Sequence, residues 1–283
     1  MDFFSPLRYP GGKGKLVPFF ERLLKDNDLN DGTYIEPYVG GGAVALSLLL
    51  REYVQSIIIN DKDRSIYAFW HSVLYNVDEL CSLITDTPVN MESWNKQRSI
   101  QKEKQEANLL ELGFSTFFLN RTNRSGIIKA GVIGGKNQTG NFKMDARYKK
   151  EELIRRIRRI NAYADRIELH NEDAIGLIKG ISPQLPENSL IYFDPPYYKK
   201  GDDLYMNYYS DNDHRLISET IHQEEKHVWV LTYDNSDFIK ELYKDFRSKE
   251  FQLNYSANNN GKGTEVMFFS DRCKVTNETL AAL

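Results

Sequence analysis

The 283-residue chain is 41% hydrophobic and 27% charged, enough for one large or two modest globular domains, which excludes a disulfide-stapled miniprotein, a fibrous repeat and wholesale disorder. Two cysteines, Cys81 and Cys273, with no CxxC or Cys/His ligand spacing, point to a reducing compartment, the cytoplasm, and away from structural zinc. The net charge of −3 hides an asymmetry: residues 120–159 hold twelve Lys or Arg against three acids, a local +9, leaving −12 on the rest of the chain, the footprint of a nucleic-acid contact surface in an acidic body.

Along the chain, Thr-Tyr-Ile-Glu at 33–36 reads as a strand, followed by Gly40, Gly41 and Gly42 and an apolar helix over 43–51, the opening half of a βαβ unit. A second strand, 56–59, ends in Asn60-Asp61 and precedes a helical pattern through Ile66, Phe69, Trp70 and Val73. The intervening helix makes the two strands parallel neighbours. Residues 76–119 read as a charged helical insertion closing in Phe114, Phe117, Phe118 and Leu119. Next comes a Gly/Asn/Lys-rich stretch, 120–150, long for an idle connection and therefore predicted to be functional and mobile without a ligand. A helix from about residue 151 carries one apolar stripe, Leu153, Ile157, Ile160 and Ala164, with Arg155, Arg158 and Arg159 pointing elsewhere.

The α/β rhythm then resumes, with strands at 166–170, 189–193 and 227–232, helices from about 172, 211 and 238, and two final strands near Phe251 and at 265–270. The fold class predicted is α/β, a doubly wound, mostly parallel sheet interrupted by an insertion. A core of residues 1–75 and 160–283 with an insert of 76–159 follows. The longest apolar run, 44–50, falls short of the ~20 residues of a spanning helix, and the N-terminus lacks a basic region followed by an apolar one, so neither membrane nor secretion is expected.

The strongest chemical signal is Tyr192-Phe193-Asp194-Pro195-Pro196-Tyr197-Tyr198, placed where a buried strand runs out at its C-terminal end, the edge at which open α/β sheets bind ligands. Each residue before a proline is held extended, and neither Pro195 nor Pro196 has an N–H to donate. The turn therefore presents the Asp194 carboxylate and the Pro195 carbonyl as a rigid pair of acceptors suited to one NH₂ group. Tyr197 lies where a ring could stack on the base bearing that amine. Taken alone, the motif also fits a rigid surface turn.

Upstream, Glu36-Pro37-Tyr38-Val39-Gly40-Gly41-Gly42 lets a small molecule approach the backbone closely, and Asp61, about twenty residues on, is placed to accept from a ribose hydroxyl. That pair fits NAD as readily as another adenosine ligand. Asp173 suits either a cofactor adenine amine or a helix N-cap. Near the N-terminus, Arg8-Tyr9-Pro10-Gly11-Gly12-Lys13 lacks the spacing and hydroxyl of a phosphate loop; Lys13 is placed to pair with a carboxylate and Tyr9 to supply a flat apolar wall. Seven of the eighteen residues from 192 to 209 are aromatic, and Tyr205, Tyr208 and Tyr209 are placed to form a lid. The five histidines show no metal spacing and read as structural or exposed, so no metal is expected.

In this order, Arg-Tyr-Pro-Gly-Gly-Lys, Glu-Pro-Tyr-Val-Gly-Gly-Gly, Ile-Asn-Asp, Leu-Asn-Arg-Thr-Asn-Arg-Ser-Gly, Asp-Pro-Pro-Tyr and a late Thr-Tyr-Asp-Asn cover nearly the whole chain. It resembles the Dam-type, D12 class DNA adenine-N6 methyltransferases. The resemblance implies a class I S-adenosylmethionine-dependent methyltransferase fold and transfer to N6 of an adenine flipped out of double-stranded DNA. It implies S-adenosylmethionine bound by Tyr9, Lys13, Glu36, Pro37, Gly40, Gly41, Gly42, Asp61, Asp173 and Asp194, and the adenine held by Asp194, Pro195, Pro196 and Tyr197. The 76–159 insert becomes the target-recognition region, with Asn120, Arg121, Asn123, Arg124, Arg147 and Lys149 facing DNA, and a cognate restriction enzyme becomes a partner to look for. Thr122-Asn123-Arg124 and Met144-Asp145-Ala146-Arg147-Tyr148 stand where GATC-reading members carry other residues, so no GATC specificity is predicted. The acceptor logic alone also serves a cytosine-N4 or RNA amino-methyltransferase. A catalytically silent DNA-binding relative and an NAD-dependent oxidoreductase are the other readings.

Overall fold

The computed structural model describes residues 4–8, 12–198, 209–224, 226–253 and 263–283. The chain forms two compact units, one of Met1–Gly12 and Asp63–Asp165, the other of Lys13–Lys62 and Arg166–Leu283.

The second unit is built on a seven-stranded sheet, β1 (Thr33–Glu36), β2 (Ser56–Asn60), β3 (Ile167–His170), β4 (Ser189–Phe193), β5 (Val228–Asp234), β6 (Arg247–Leu253) and β7 (Gly263–Phe269), in the order β3-β2-β1-β4-β5-β7-β6. The first five in that order pair in parallel; β7 lies antiparallel against both β5 and β6. This is the α/β class read from the alternating pattern, with the antiparallel hairpin as an added feature at one edge. β4 (Ser-Leu-Ile-Tyr-Phe) and β5 (Val-Trp-Val-Leu-Thr-Tyr-Asp) are buried at every position, the near-continuous burial expected of central parallel strands covered on both faces. One core cluster gathers Ile35, Ile191, Phe193, Trp229, Leu231, Ile239 and Phe268. Among the helices of this unit are α1 (Val17–Asp26) and α2 (Ala43–Leu50), and strand order reverses between β1 and β4, so the loops leaving those strands open at one carboxyl edge.

The first unit is helical: α3 (Arg64–Tyr75), α4 (Val77–Asp86), α5 (Met91–Lys102), α6 (Leu109–Thr122) and α7 (Lys150–Asn161). α3 and α6 approach closely at Gly113, where a Cβ would lie 2.4 Å from Ala68 O, and Phe69 and Phe117 stack with centroids 6.0 Å apart. α7 buries Leu153, Ile157 and Ile160, three of the four positions of the expected stripe; the fourth, Ala164, lies past the end of the helix in a short 3-10 turn and is half-buried. Within residues 120–150, polar contacts tie the backbone together. Arg124 N–H bonds Gly131 O at 3.0 Å and Ile133 N–H bonds Thr122 O at 2.9 Å. The Gln138 side chain donates to Ile133 O and Gly135 O, each at 2.7 Å, and accepts from Met144 N–H at 2.9 Å. No helix among the described residues is long and apolar enough to cross a membrane.

Candidate active site

The loop leaving β1 starts from a buried carboxyl. Glu36 Oε1 accepts from Tyr34 OH at 2.9 Å and from Ala45 N–H, in the first turn of α2, at 3.2 Å. Burial pushes Glu36 up to about 8 against those two hydrogen bonds, which pull it down. Near neutral pH it is therefore largely the neutral acid. Gly40 and Gly42 sit at φ 44 and 59, and Gly42 is the left-handed N-cap of α2, a backbone that L side chains resist. Gly40 N–H donates to Asp61 Oδ2 at 3.0 Å, so the acid after β2 closes onto the glycine turn. Asn60, fully buried, ties neighbouring loops together: its Nδ2 donates to Pro37 O at 2.9 Å and Glu172 O at 3.1 Å, and its Oδ1 accepts from Glu172 N–H at 2.8 Å. Asp173 caps the helix Ala174–Ile181, accepting from Ile175 N–H at 3.1 Å, and its other oxygen pairs with Lys62 at 3.0 Å.

The loop leaving β4 carries Asp194, Pro195, Pro196 and Tyr197. Asp194 Oδ1 accepts from Lys13 Nζ at 2.6 Å and from Thr232 Oγ1, on β5, at 2.7 Å. Among the described residues Oδ2 makes no hydrogen bond, and the Asp194 side chain is 20% exposed. Lys13 is itself buried and bonds Tyr197 OH at 2.8 Å. The Tyr197 hydroxyl donates in turn to Glu265 Oε1 on β7, while Glu265 Oε2 stands 3.6 Å from Lys13 Nζ. Burial raises the Glu265 carboxyl above its ordinary range and Lys13 partly offsets this. Tyr197 is thus 4% exposed and anchored through its hydroxyl, where sequence reasoning saw a stacking ring.

Next to these lies an aromatic group. Tyr38 OH and Tyr209 OH are 3.2 Å apart, and the Tyr209 ring meets His214, whose Nδ1 lies 2.8 Å from Tyr233 OH. Burial pushes Tyr209 up to about 12, with Asp173, Asp213 and Asp61 adding to the rise. Tyr9, Tyr205 and Tyr208 lie outside the described residues.

The sequence reading therefore identified one side of this network and missed the other. Thr232 and Asp234 lie in the Thr-Tyr-Asp-Asn motif, a signal visible in the sequence. Glu265 has a weaker mark, a single acid leading the buried run Val266, Met267, Phe268. His214, one of the five histidines read as structural or exposed, is buried, and its ring sits against Tyr198 and Tyr209 of the motif region.

In the helical unit, the six side chains expected to face DNA divide. Asn120 and Asn123 are corrected: they are 2% and 0% exposed and their amides are spent inside the protein. Asn120 accepts from Arg8 N–H and donates to Arg8 O, both at 2.7 Å, and to Gly126 O at 2.8 Å. Asn123 accepts from Trp94 Nε1–H at 2.7 Å and donates to Ile127 O at 3.2 Å and Ile128 O at 2.8 Å. Side-chain amides of this kind replace missing backbone partners at a chain reversal. Gly126, at φ +77, lets Arg8 O come where a Cβ would stand 2.2 Å away. Arg121 is half-buried and tethers Arg147 O at 2.8 Å and Pro6 O at 3.3 Å; burial foremost, then Arg8, pushes its guanidinium down to about 10. Arg124, Arg147 and Lys149 are exposed.

A family model described as D12 class N6 adenine-specific DNA methyltransferase matches residues 9–257. The Type II methyltransferase M.MjaIII of Methanocaldococcus jannaschii is 25% identical over 274 residues, covering 86% of this chain and 89% of its own. Among solved structures, the rRNA methyltransferase AviRa of Streptomyces viridochromogenes aligns with a TM-score of 0.40 at 12% identity, over 97% of this chain and 89% of its own. The Legionella pneumophila protein LPL1258 aligns with a TM-score of 0.37 at 12% identity, over 98% and 91%.

Proposed function

The chain belongs to the D12 class of N6 adenine-specific DNA methyltransferases, and we propose that the carboxyl edge of β1 and β4 is where it brings S-adenosylmethionine and an adenine turned out of double-stranded DNA together. The observation that carries this reading is the division of labour within one carboxylate: Asp194 Oδ1 is clamped by Lys13 and Thr232, and Oδ2 is spent on no described residue. Beside it, Pro195 contributes a carbonyl and no N–H.

An exocyclic purine amine is a poor nucleophile because its lone pair is delocalised into the ring. Two fixed acceptors, Asp194 Oδ2 and Pro195 O, grip its two hydrogens, favour a pyramidal nitrogen and aim the lone pair. The work is alignment and electrostatic preorganisation rather than proton abstraction before attack. S-adenosylmethionine, when bound, supplies an electrophilic methyl carbon on a sulfonium. The residues present fit a cationic ligand: Asp61 and Asp194 supply carboxylates at the carboxyl edge, and the buried Lys13 is already engaged by Asp194 and Tyr197. Gly40, Gly41 and Gly42 with Asp61 would hold it on the β1 side and Asp194 on the β4 side; Glu36 acts beneath them as the cap that fixes the glycine turn. Asp173, as N-cap and partner of Lys62, contributes charge at the rim.

We further propose that residues 76–159 carry target recognition through the exposed Arg124, Arg147 and Lys149, with Arg121 supporting Arg147 from behind. The name Type II methyltransferase carried by M.MjaIII supports site-specific methylation and a cognate restriction enzyme. The free, buried Cys81 and Cys273, whose thiols burial pushes up, fit the reducing cytoplasm.

The test is Asp194→Ala, compared with the unaltered protein for transfer of labelled methyl from S-adenosylmethionine to duplex DNA. A loss of about 10²-fold or more in kcat is expected when the reacting amine is misaligned. Near-normal turnover in that variant overturns the assigned roles.

A further inference from the structure

We propose that Glu265 is a positioning residue of this site: from β7 it holds Tyr197 and Lys13 and through them fixes the Asp194 carboxylate. The inference rests on the function proposed above and assigns the antiparallel edge of the sheet a part in it.

The argument starts from strand register. β5 and β7 pair antiparallel with Asp234 opposite Glu265. Two acids facing each other across a ladder repel, and here both are buried, at 7% and 1% exposure. Apolar residues at both places would pack at less cost. Both acids are nonetheless engaged with one short stretch. Asp234 Oδ1 accepts the Tyr198 backbone N–H at 2.8 Å, and Glu265 Oε1 accepts the Tyr197 hydroxyl. Consecutive residues of the Asp-Pro-Pro-Tyr-Tyr turn are thus gripped by one cross-strand acidic pair.

The Tyr197 hydroxyl is the hinge of the arrangement. It has one proton, and Glu265 takes it, which leaves an oxygen lone pair facing Lys13 Nζ at 2.8 Å. Without that acceptor the hydroxyl is free to turn its proton elsewhere, and Lys13 loses its directed partner. Lys13 is the group that clamps Asp194 Oδ1 at 2.6 Å, so any drift of the ammonium moves the carboxylate. Glu265 Oε2 has no hydrogen bond among the described residues and stands 3.6 Å from the Lys13 ammonium. A buried oxygen left in that state is costly, and its placement beside the ammonium that Asp194 also holds accounts for it: the charge restrains Lys13.

The experiment uses the full chain with duplex DNA and labelled S-adenosylmethionine, on Glu265→Gln, Tyr197→Phe and the double variant. Melting curves and calorimetric titration with S-adenosylmethionine accompany the kinetics. Glu265→Gln should lower kcat about 10- to 100-fold, the scale of a small misplacement at a reacting centre, while KM for DNA and affinity for S-adenosylmethionine stay within about threefold. The double variant should lose no more than the worse single one, because both changes break the same chain of contacts. Should Glu265→Gln fail to fold, Glu265→Asp, which keeps the charge but shortens its reach, carries the same expectations. A kcat within about twofold of the parent, a change confined to KM, or losses that multiply in the double variant would overturn the proposal. A parent protein that methylates no adenine contradicts instead the function on which it rests.

Discussion

Lys13→Met removes the ammonium that faces both Asp194, at 2.6 Å, and Glu265, at 3.6 Å. The lysine side chain is 4% exposed and the two carboxylates 20% and 2%, so solvent screens little of the loss. Removing one partner of a buried ion pair costs about 3–5 kcal/mol, since the remaining charge stays desolvated. For a protein of this size each kcal/mol moves the melting temperature by about 2–4 °C, which makes the expected fall roughly 6–20 °C. The pH dependence has a sign. Burial already holds the Glu265 carboxyl above its ordinary range, with Lys13 working against that rise. A carboxyl raised on folding contributes stability that is lost as pH climbs from its unfolded value through its folded one. Without Lys13 the rise is larger and the loss steeper, so the gap between parent and variant should widen from pH 5 to pH 8. Melting curves of both proteins across that range, without DNA or methyl donor, read this directly. An unchanged melting temperature, or a gap that narrows as pH rises, would refute the reasoning.

Glu36→Gln mimics the neutral acid. Because burial raises Glu36 to about 8, the parent should lose stability relative to this variant as pH climbs from about 4.5 to 8, at about 1.4 kcal/mol per pH unit of displacement, which chemical denaturation at pH 5 and 8 would measure. Asn123→Ala leaves the Trp94 Nε1–H and the Ile127 and Ile128 carbonyls without their buried partner; at about 1–3 kcal/mol for an unsatisfied group it should lower the melting temperature while leaving the salt slope of DNA binding unchanged. Charge removal at Arg147 or Lys149 should do the reverse, reducing the slope of log K against log salt by about 0.9 each with stability held, as binding titrations at several salt concentrations would show.

How far the sequence alone could be read depended on whether a feature is local. Strand, glycine turn and helix at 33–50 were legible because β1 and α2 follow their own periodicities. Asp194 was legible because two prolines constrain it whatever lies around. The direction of β7 was not: antiparallel entry between β5 and β6 is settled by pairing, and nothing in Thr-Glu-Val-Met-Phe-Phe encodes an orientation. Glu265 was hidden for the same reason, since its meaning comes from Tyr197 and Lys13, 68 residues and farther away in sequence. Asn120 and Asn123 show the opposite failure. A basic, Asn-rich stretch suggests a surface, but an amide can equally fold inward and substitute for backbone partners, and only the packing around Trp94 and Arg8 distinguishes the two.

The central claim is that an acceptor pair at the end of β4 orients an adenine amine for methyl transfer. Purified protein incubated with duplex DNA and methyl-labelled S-adenosylmethionine, followed by digestion to nucleosides and mass spectrometry, tests it most directly. The account predicts label in N6-methyladenine alone, lost in Asp194→Ala; label in N4-methylcytosine, or adenine methylation that survives that substitution, would contradict it.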